Sequence, residues 1–197
     1  MPKLKPRSNR VHGLRLPTKR SLSAEIKTIL NRCQEKIGFV PNVLRSYTLR
    51  PKKFGFFRDY NNELMLGESG LTKLEREVIA VVVSSANHCH YCIIAHAAAV
   101  RHLSGDEEFG DTLAINYRSA NMNSKLRKIC DFSWKITTEP HKIGTADRLL
   151  LKRSGCSDED IFDIVEVASF YNMSNRVASG LSIQPNKEYY SIGRDSK

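Results

Sequence analysis

The chain has 197 residues, 41% hydrophobic and 26% charged, which supports one globular domain with a sizeable core. No stretch approaches the ~18 apolar residues of a membrane span. The formal charge is +10, but residues 1–20 hold most of it through Lys3, Lys5, Arg7, Arg10, Arg15, Lys19 and Arg20 with no acid among them, and the remainder carries about +3.

This basic arm has too few apolar residues for a secretory signal, and Pro2, Pro6, Gly13 and Pro17 break any amphipathic presequence helix. Residues 1–20 therefore read as a flexible leader that wraps a neighbouring subunit, with contact to a nucleic acid as the lesser reading. Five cysteines, an odd number without a regular framework, argue against a disulfide-stapled secreted protein. They fit a reducing cytoplasm, where a close thiol pair is catalytic or metal-binding more often than structural.

After the leader, Ser21 or Ser23 caps a helix with Ile26, Ile29, Leu30 and Cys33 at helical spacing, ended by Gly38. Pro41 restarts the chain, and Val43, Leu44 and Tyr47 continue the apolar stripe. Beyond Pro51, Phe54, Phe57, Tyr60, Leu64 and Met65 mark a third helix, stopped by Gly67 and Gly70. Thr72-Lys73-Leu74-Glu75 is a capping box, so a helix begins at Lys73. Val78, Ile79, Val81, Val82 and Val83 make it apolar on most sides, as suits the centre of a bundle.

Within this apolar helix stands Glu77, a carboxylate that must be paired, hydrogen-bonded or protonated; Arg76 or Arg101 are candidate partners. Ser84-Ser85-Ala86-Asn87 interrupts the pattern, and Asn87 or His88 is a candidate cap for a next helix. Cys89, Cys92 and His96, three and then four residues apart, fall on one face of a helix. A helix N-terminus stabilises an anion, so a thiol placed there is activated. Peroxide reduction needs that thiolate and a second thiol near enough to trap the sulfenic acid. The same residues, with His88 or His90 as a fourth ligand, have the softness to bind zinc, and inert core thiols are a further reading.

Downstream, Ser104-Gly105-Asp106 is a turn, Leu113, Ile115 and Tyr117 mark one helix, and Leu126, Ile129, Phe132 and Trp134 mark another capped by Ser124. Thr145 caps a short helix through Leu149, Leu150 and Leu151. Ser154-Gly155-Cys156-Ser157 then opens the last long helix and parallels Ser69-Gly70-Leu71-Thr72 at an offset of 85 residues, which hints at a weak two-fold internal repeat. Cys33, Cys130 and Cys156 carry no motif. Arg176 reads as one member of a structural pair with a carboxylate.

Glutamate, eleven residues, Cys-x-x-Cys, three residues and histidine is a specific pattern. With Ile37 to Pro51, Ser69 to His96 and Asp158 to Leu181, it resembles the AhpD-like alkyl hydroperoxidases, the peroxidase-related branch of the carboxymuconolactone decarboxylase superfamily. The resemblance covers roughly residues 22–190 and implies an all-α AhpD-like helical domain, residues 21–190, with 191–197 a polar tail. It further implies a trimer or hexamer and a hydroperoxide reductase that needs no haem or metal but draws on an external dithiol reductant. By the same resemblance Cys92 is peroxidatic, Cys89 resolves it, and Glu77 and His96 relay the proton. Family members carry a histidine where this chain has Tyr91, which makes the Tyr91 hydroxyl or a water a candidate substitute. A thiol or peroxide sensor, or a metal-binding module with a nucleic-acid-contacting arm, and a decarboxylase of the same superfamily are the alternatives.

Overall fold

The computed structural model describes residues 13–194, and these are all-α, with no strand among them. The helices are α1 (Ala24–Ile37), α2 (Asn42–Tyr47), α3 (Pro51–Leu66), α4 (Lys73–Ala86), α5 (His90–Ser104), α6 (Glu107–Asn116), α7 (Ser124–Thr138), α8 (Thr145–Arg153) and α9 (Asp158–Gly180). No helix of the described chain is long and apolar enough to cross a membrane. Residues 1–12 of the basic leader lie outside the described residues. Its remainder packs, since the Gly13 amide donates to the Leu181 carbonyl at 2.8 Å and Lys19–Ser21 form a 3-10 turn.

α4 is the axis of the bundle and touches α3, α5, α6, α7 and α9. Every residue from Val78 to Ser84 is fully buried, which is why this helix is apolar around most of its circumference. On one side Ile79, Ala80 and Val83 join Ile129, Ile164 and Val167; on the other Val78, Val81 and Val82 meet Val100 and Leu113.

The expected internal repeat is visible in the caps. Thr72 and Glu75 close a reciprocal box at the start of α4, and Ser157 and Asp160 do the same for α9. Asn87 and Asn172, again 85 residues apart, meet where the two helices pack, Asn87 Nδ2 donating to Asn172 Oδ1 at 3.0 Å. α1 is capped by Ser23 and ends on Gly38, whose φ of 83° is the left-handed conformation a glycine tolerates.

Three caps differ from the sequence expectation. Asn123, with extended backbone, accepts from the Leu126 amide at 2.8 Å and starts α7, which leaves Ser124 as its first helical residue. Gly144 precedes α8, and its amide is held by the Asp147 carboxylate at 2.8 Å, so Thr145 lies inside the helix. Neither Asn87 nor His88 starts α5. Both finish α4: the amides of His88 and Cys89 return to the carbonyls of Ser85 and Ser84, each at 3.0 Å, with His88 left-handed at φ 51°.

Truncating the axis should be costly. Ile79→Ala, at a fully buried position, is expected to lose about 3 kcal/mol and about 9 °C of melting temperature, whereas Ile115→Ala, at a residue 84% exposed, should leave the thermal transition nearly unchanged.

Candidate active site

Because the amides of residues 87–89 are spent on closing α4, α5 begins abruptly, and Cys89 itself occupies its N-cap position with φ −81° and ψ 96°. Cys92 follows in the first turn and His96 one turn later. Cys89 and Cys92 are each 1% exposed, enclosed with Tyr91, Ala95, Ala178 and Ile183, and flanked by Val43, Leu181 and Tyr189. Both thiols are free in this structure.

The two sulfurs act on one another. The Cys92 thiol donates towards Cys89 and is the largest influence drawing the Cys89 pKa down to about 6; burial opposes it, while the Cys92 amide, the Ser179 hydroxyl and the field of His96 add to it. Cys92 is pushed the other way, first because its proton is held by Cys89 and then by burial, with Asn175 and Ser174 offsetting part of the effect. Each sulfur thus shifts the other in the opposite direction, Cys89 towards the thiolate and Cys92 towards the thiol. Burial alone raises Cys33, dominates at Cys156, and drives Cys130 up to about 12, so these three are ordinary protonated thiols.

Glu77 finds a histidine rather than an arginine. Its Oε2 lies 2.7 Å from His96 Nδ1, and both side chains keep a small exposure, 18% and 16%. The arginines are engaged elsewhere: Arg76 donates to the carbonyls of Leu64 and Gly67, and Arg101 to Tyr189, Ile192 and Asp111. The carboxylate fixes the imidazole tautomer and leaves Nε2 for proton transfer.

Tyr91 is buried beside the pair, but its hydroxyl accepts from the Val43 amide at 3.3 Å and interacts with Tyr189. A second phenol, Tyr171, was not expected from the sequence. Its ring packs edge-on against His96 with centroids 4.4 Å apart, and burial, then the charges of Glu77 and Cys92, hold its pKa far above the usual range, so it remains a protonated donor.

Also unexpected is the asparagine network that fixes the turn under the thiols. Asn87 Nδ2 donates to Asn172 and Asn175, Asn175 donates to Ser84, and Asn172 donates to Thr137, all at 3.0 Å. Asn175 and Ser174 thus face Cys92 from α9. Among the described residues Arg176 pairs with no carboxylate; it donates to the Asn172 carbonyl and amide oxygen on its own helix. Of the C-terminal segment, Tyr189 packs on the thiol cluster and the residues after it lie along the far end of α5. Arg194 pairs with Asp111 and Glu107, and Gly193, at φ 68°, sits where a Cβ would come within 2.6 Å of Arg101. Residues 191–194, expected as a polar tail, are therefore docked on α5 and α6.

His90 is exposed, with Nε2 3.3 Å from the Tyr190 hydroxyl, and the other candidate fourth ligand, His88, occupies the turn that ends α4. Among the described residues no group of three or more His, Cys, Asp or Glu side chains could hold a metal ion.

The sequence model of the carboxymuconolactone decarboxylase family matches residues 51–117. An uncharacterized peroxidase-related protein from Silicibacter sp. TM1040 is 47% identical, over 98% of this chain and 100% of that one, with a TM-score of 0.92. An alkylhydroperoxidase AhpD core protein from Ralstonia eutropha JMP134, also peroxidase-related and uncharacterized, is 36% identical, over 96% and 100%, with a TM-score of 0.93. The debrominase Bmp8, solved with 2,3,4-tribromopyrrole, shares the fold at 16% identity, over 90% and 94%, with a TM-score of 0.76. No curated protein matches the chain. The helical fold and these two close relatives place the chain in the carboxymuconolactone decarboxylase family. Within it the chain belongs to the AhpD-like, peroxidase-related branch.

Alkylation of Cys89 followed against pH should show a midpoint near 6, the thiolate reacting and the thiol formed below it not reacting. Cys92→Ala removes the donating thiol and should move that midpoint up towards the ordinary thiol range near 8.5, read by mass mapping of the labelled peptide.

Proposed function

We propose that this protein is a cysteine-based hydroperoxide reductase that cycles Cys89 and Cys92 between dithiol and disulfide in an antioxidant role. The observation that carries the reading is the pair of buried free thiols at the start of α5, one on the N-cap and one in the first turn, beside a carboxylate-oriented imidazole. A thiolate attacks the distal oxygen of ROOH, the O–O bond breaks, and the alkoxide leaves as ROH with a proton relayed through His96. The sulfenic acid then condenses with the second thiol, forming the Cys89–Cys92 disulfide and releasing water. The two electrons lost by the thiols are restored by an external dithiol.

The order implied by the family resemblance is attack by Cys92 and resolution by Cys89. The electrostatics add a condition to it, because Cys89 is the sulfur drawn towards the thiolate. Cys92 becomes nucleophilic when its proton crosses to the Cys89 sulfur and Asn175 and Ser174 receive the charge. A second reading is favoured by the same acidity: Cys89, already a thiolate at pH 7, attacks directly. Glu77 and His96 serve either order as base and relay. The Tyr91 hydroxyl is turned to Val43 and Tyr189, while Tyr171 packs its ring on His96 and directs its hydroxyl to Asn61 Oδ1.

Assembly into trimers or hexamers belongs to the same proposal. Phe56, Leu66 and Phe162, each more than 60% exposed on α3 and α9, offer apolar surface for it. Neither a metal nor haem enters the proposed cycle.

A single turnover with stoichiometric alkyl hydroperoxide, quenched in acid and mapped by peptide, tests the chemistry. Wild type should lose peroxide and gain the Cys89–Cys92 disulfide; peroxide surviving over a reduced pair would refute the reading. A sulfenic acid trapped in Cys89→Ser assigns the attack to Cys92, and one trapped in Cys92→Ser assigns it to Cys89. Glu77→Gln should slow turnover on the order of 100-fold while leaving the fold intact by circular dichroism, since it removes the orienting charge and little volume.

A further inference from the structure

An open cavity of about 620 Å³ lies between Leu14, the α2–α3 corner and the last turn of α9. Tyr47, Leu49, Val177 and Leu181 give it an apolar wall, and Arg50 and Lys53 stand at its edge. Leu181 is shared: it lines the cavity and also packs on the cluster that encloses Cys89 and Cys92. Ser179, in the same stretch of α9, interacts with the Cys89 sulfur. Leu181 is therefore common to the apolar chamber and to the cluster around the dithiol.

The charge at the edge of this chamber is of one sign. Arg50 and Lys53 are exposed, no acidic residue lines the cavity, and neither cation forms an ion pair among the described residues. Two further cavities among the described residues differ. One of about 500 Å³ mixes Lys19 and Arg45 with Glu188, and one of about 460 Å³ carries Asp106 and Glu108, which would repel an anion. Among these three chambers, only the one that shares Leu181 with the thiol cluster joins an apolar wall to uncompensated positive charge.

We propose that this chamber receives the organic part of the hydroperoxide, and that the preferred substrate is a long-chain anionic one, a fatty-acid hydroperoxide. Its hydrocarbon lies against Tyr47, Leu49 and Val177, its carboxylate meets Arg50 and Lys53, and its peroxide passes Leu181 towards the thiols. The two electrons of the dithiol reduce it to the corresponding hydroxy acid and water. The assignment of the chamber to a substrate rests on the peroxidase reading, whereas its preference for an anionic amphiphile does not.

The test combines binding of an unreactive ligand with turnover, on the full chain and below micellar concentrations. By calorimetry dodecanoate should bind about tenfold more tightly than dodecanol, and linoleic acid hydroperoxide should be reduced with kcat/KM about tenfold above that of its methyl ester. The double substitution Arg50→Gln, Lys53→Gln should bring both ratios to about 1. Ratios near 1 in wild type, or ratios that survive the double substitution, would overturn the proposal. Reduction of tert-butyl hydroperoxide reports on the peroxidase reading separately: if it proceeds while acid and ester react alike, the substrate proposal alone fails. If dodecanoate is selected but no peroxide is reduced, the anion site stands and the fatty-acid hydroperoxide is overturned as substrate along with the peroxidase reading.

Discussion

Two sulfurs buried at the mouth of a helix cannot both be charged, and here each pushes the acidity of the other the opposite way. Negative charge is favoured on Cys89 in this apolar pocket because its partner thiol, an amide of the first turn and a hydroxyl from α9 are all directed at it. Without those donors burial would win, as it does at Cys130. The reactivity proposed for the site follows from that balance, and so do the demands the site makes on the surrounding fold.

The first demand is a helix that starts at Cys89. α4 ends in a left-handed residue at His88 and uses the Cys89 amide for its own last carbonyls, so α5 restarts on the thiol with no connecting loop. The second is a rigid floor. α4 is buried along its whole middle, and the Asn87, Asn172 and Asn175 network ties its end to α9, which supplies the donors facing both sulfurs. The third is a proton route out of an apolar pocket. The Glu77 and His96 side chains, partly exposed and 2.7 Å apart, reach towards solvent where the sulfurs do not.

Much of this was legible in the sequence because it is local. A capping box at Thr72, a stretch of valines, and the spacing of the cysteines and histidine each report on a single helix or turn, and the structure brings Glu77 and His96 together as the family resemblance implies. What the sequence hid is what α9 and the C-terminal segment contribute from almost a hundred residues away. Tyr171, Ser174, Asn175 and Ser179 read as one polar-speckled helix face, and no periodicity reveals that this face closes on the thiols. The offset of 85 residues was the available clue, since it pairs Asn87 with Asn172 and so α4 with α9. The orientation of Tyr91 was equally hidden, because its hydroxyl is claimed by the amide of Val43 on another helix.

The opposed acidity of the two sulfurs is the central claim, and the ultraviolet absorbance of the thiolate tests it directly. Fully reduced protein titrated from acid should gain the absorbance of one thiolate per chain with a midpoint near 6 and then show a plateau through neutral pH, because the Cys92 proton is retained. A first rise only in the ordinary thiol range near 8.5, or two thiolates appearing together, would contradict the account.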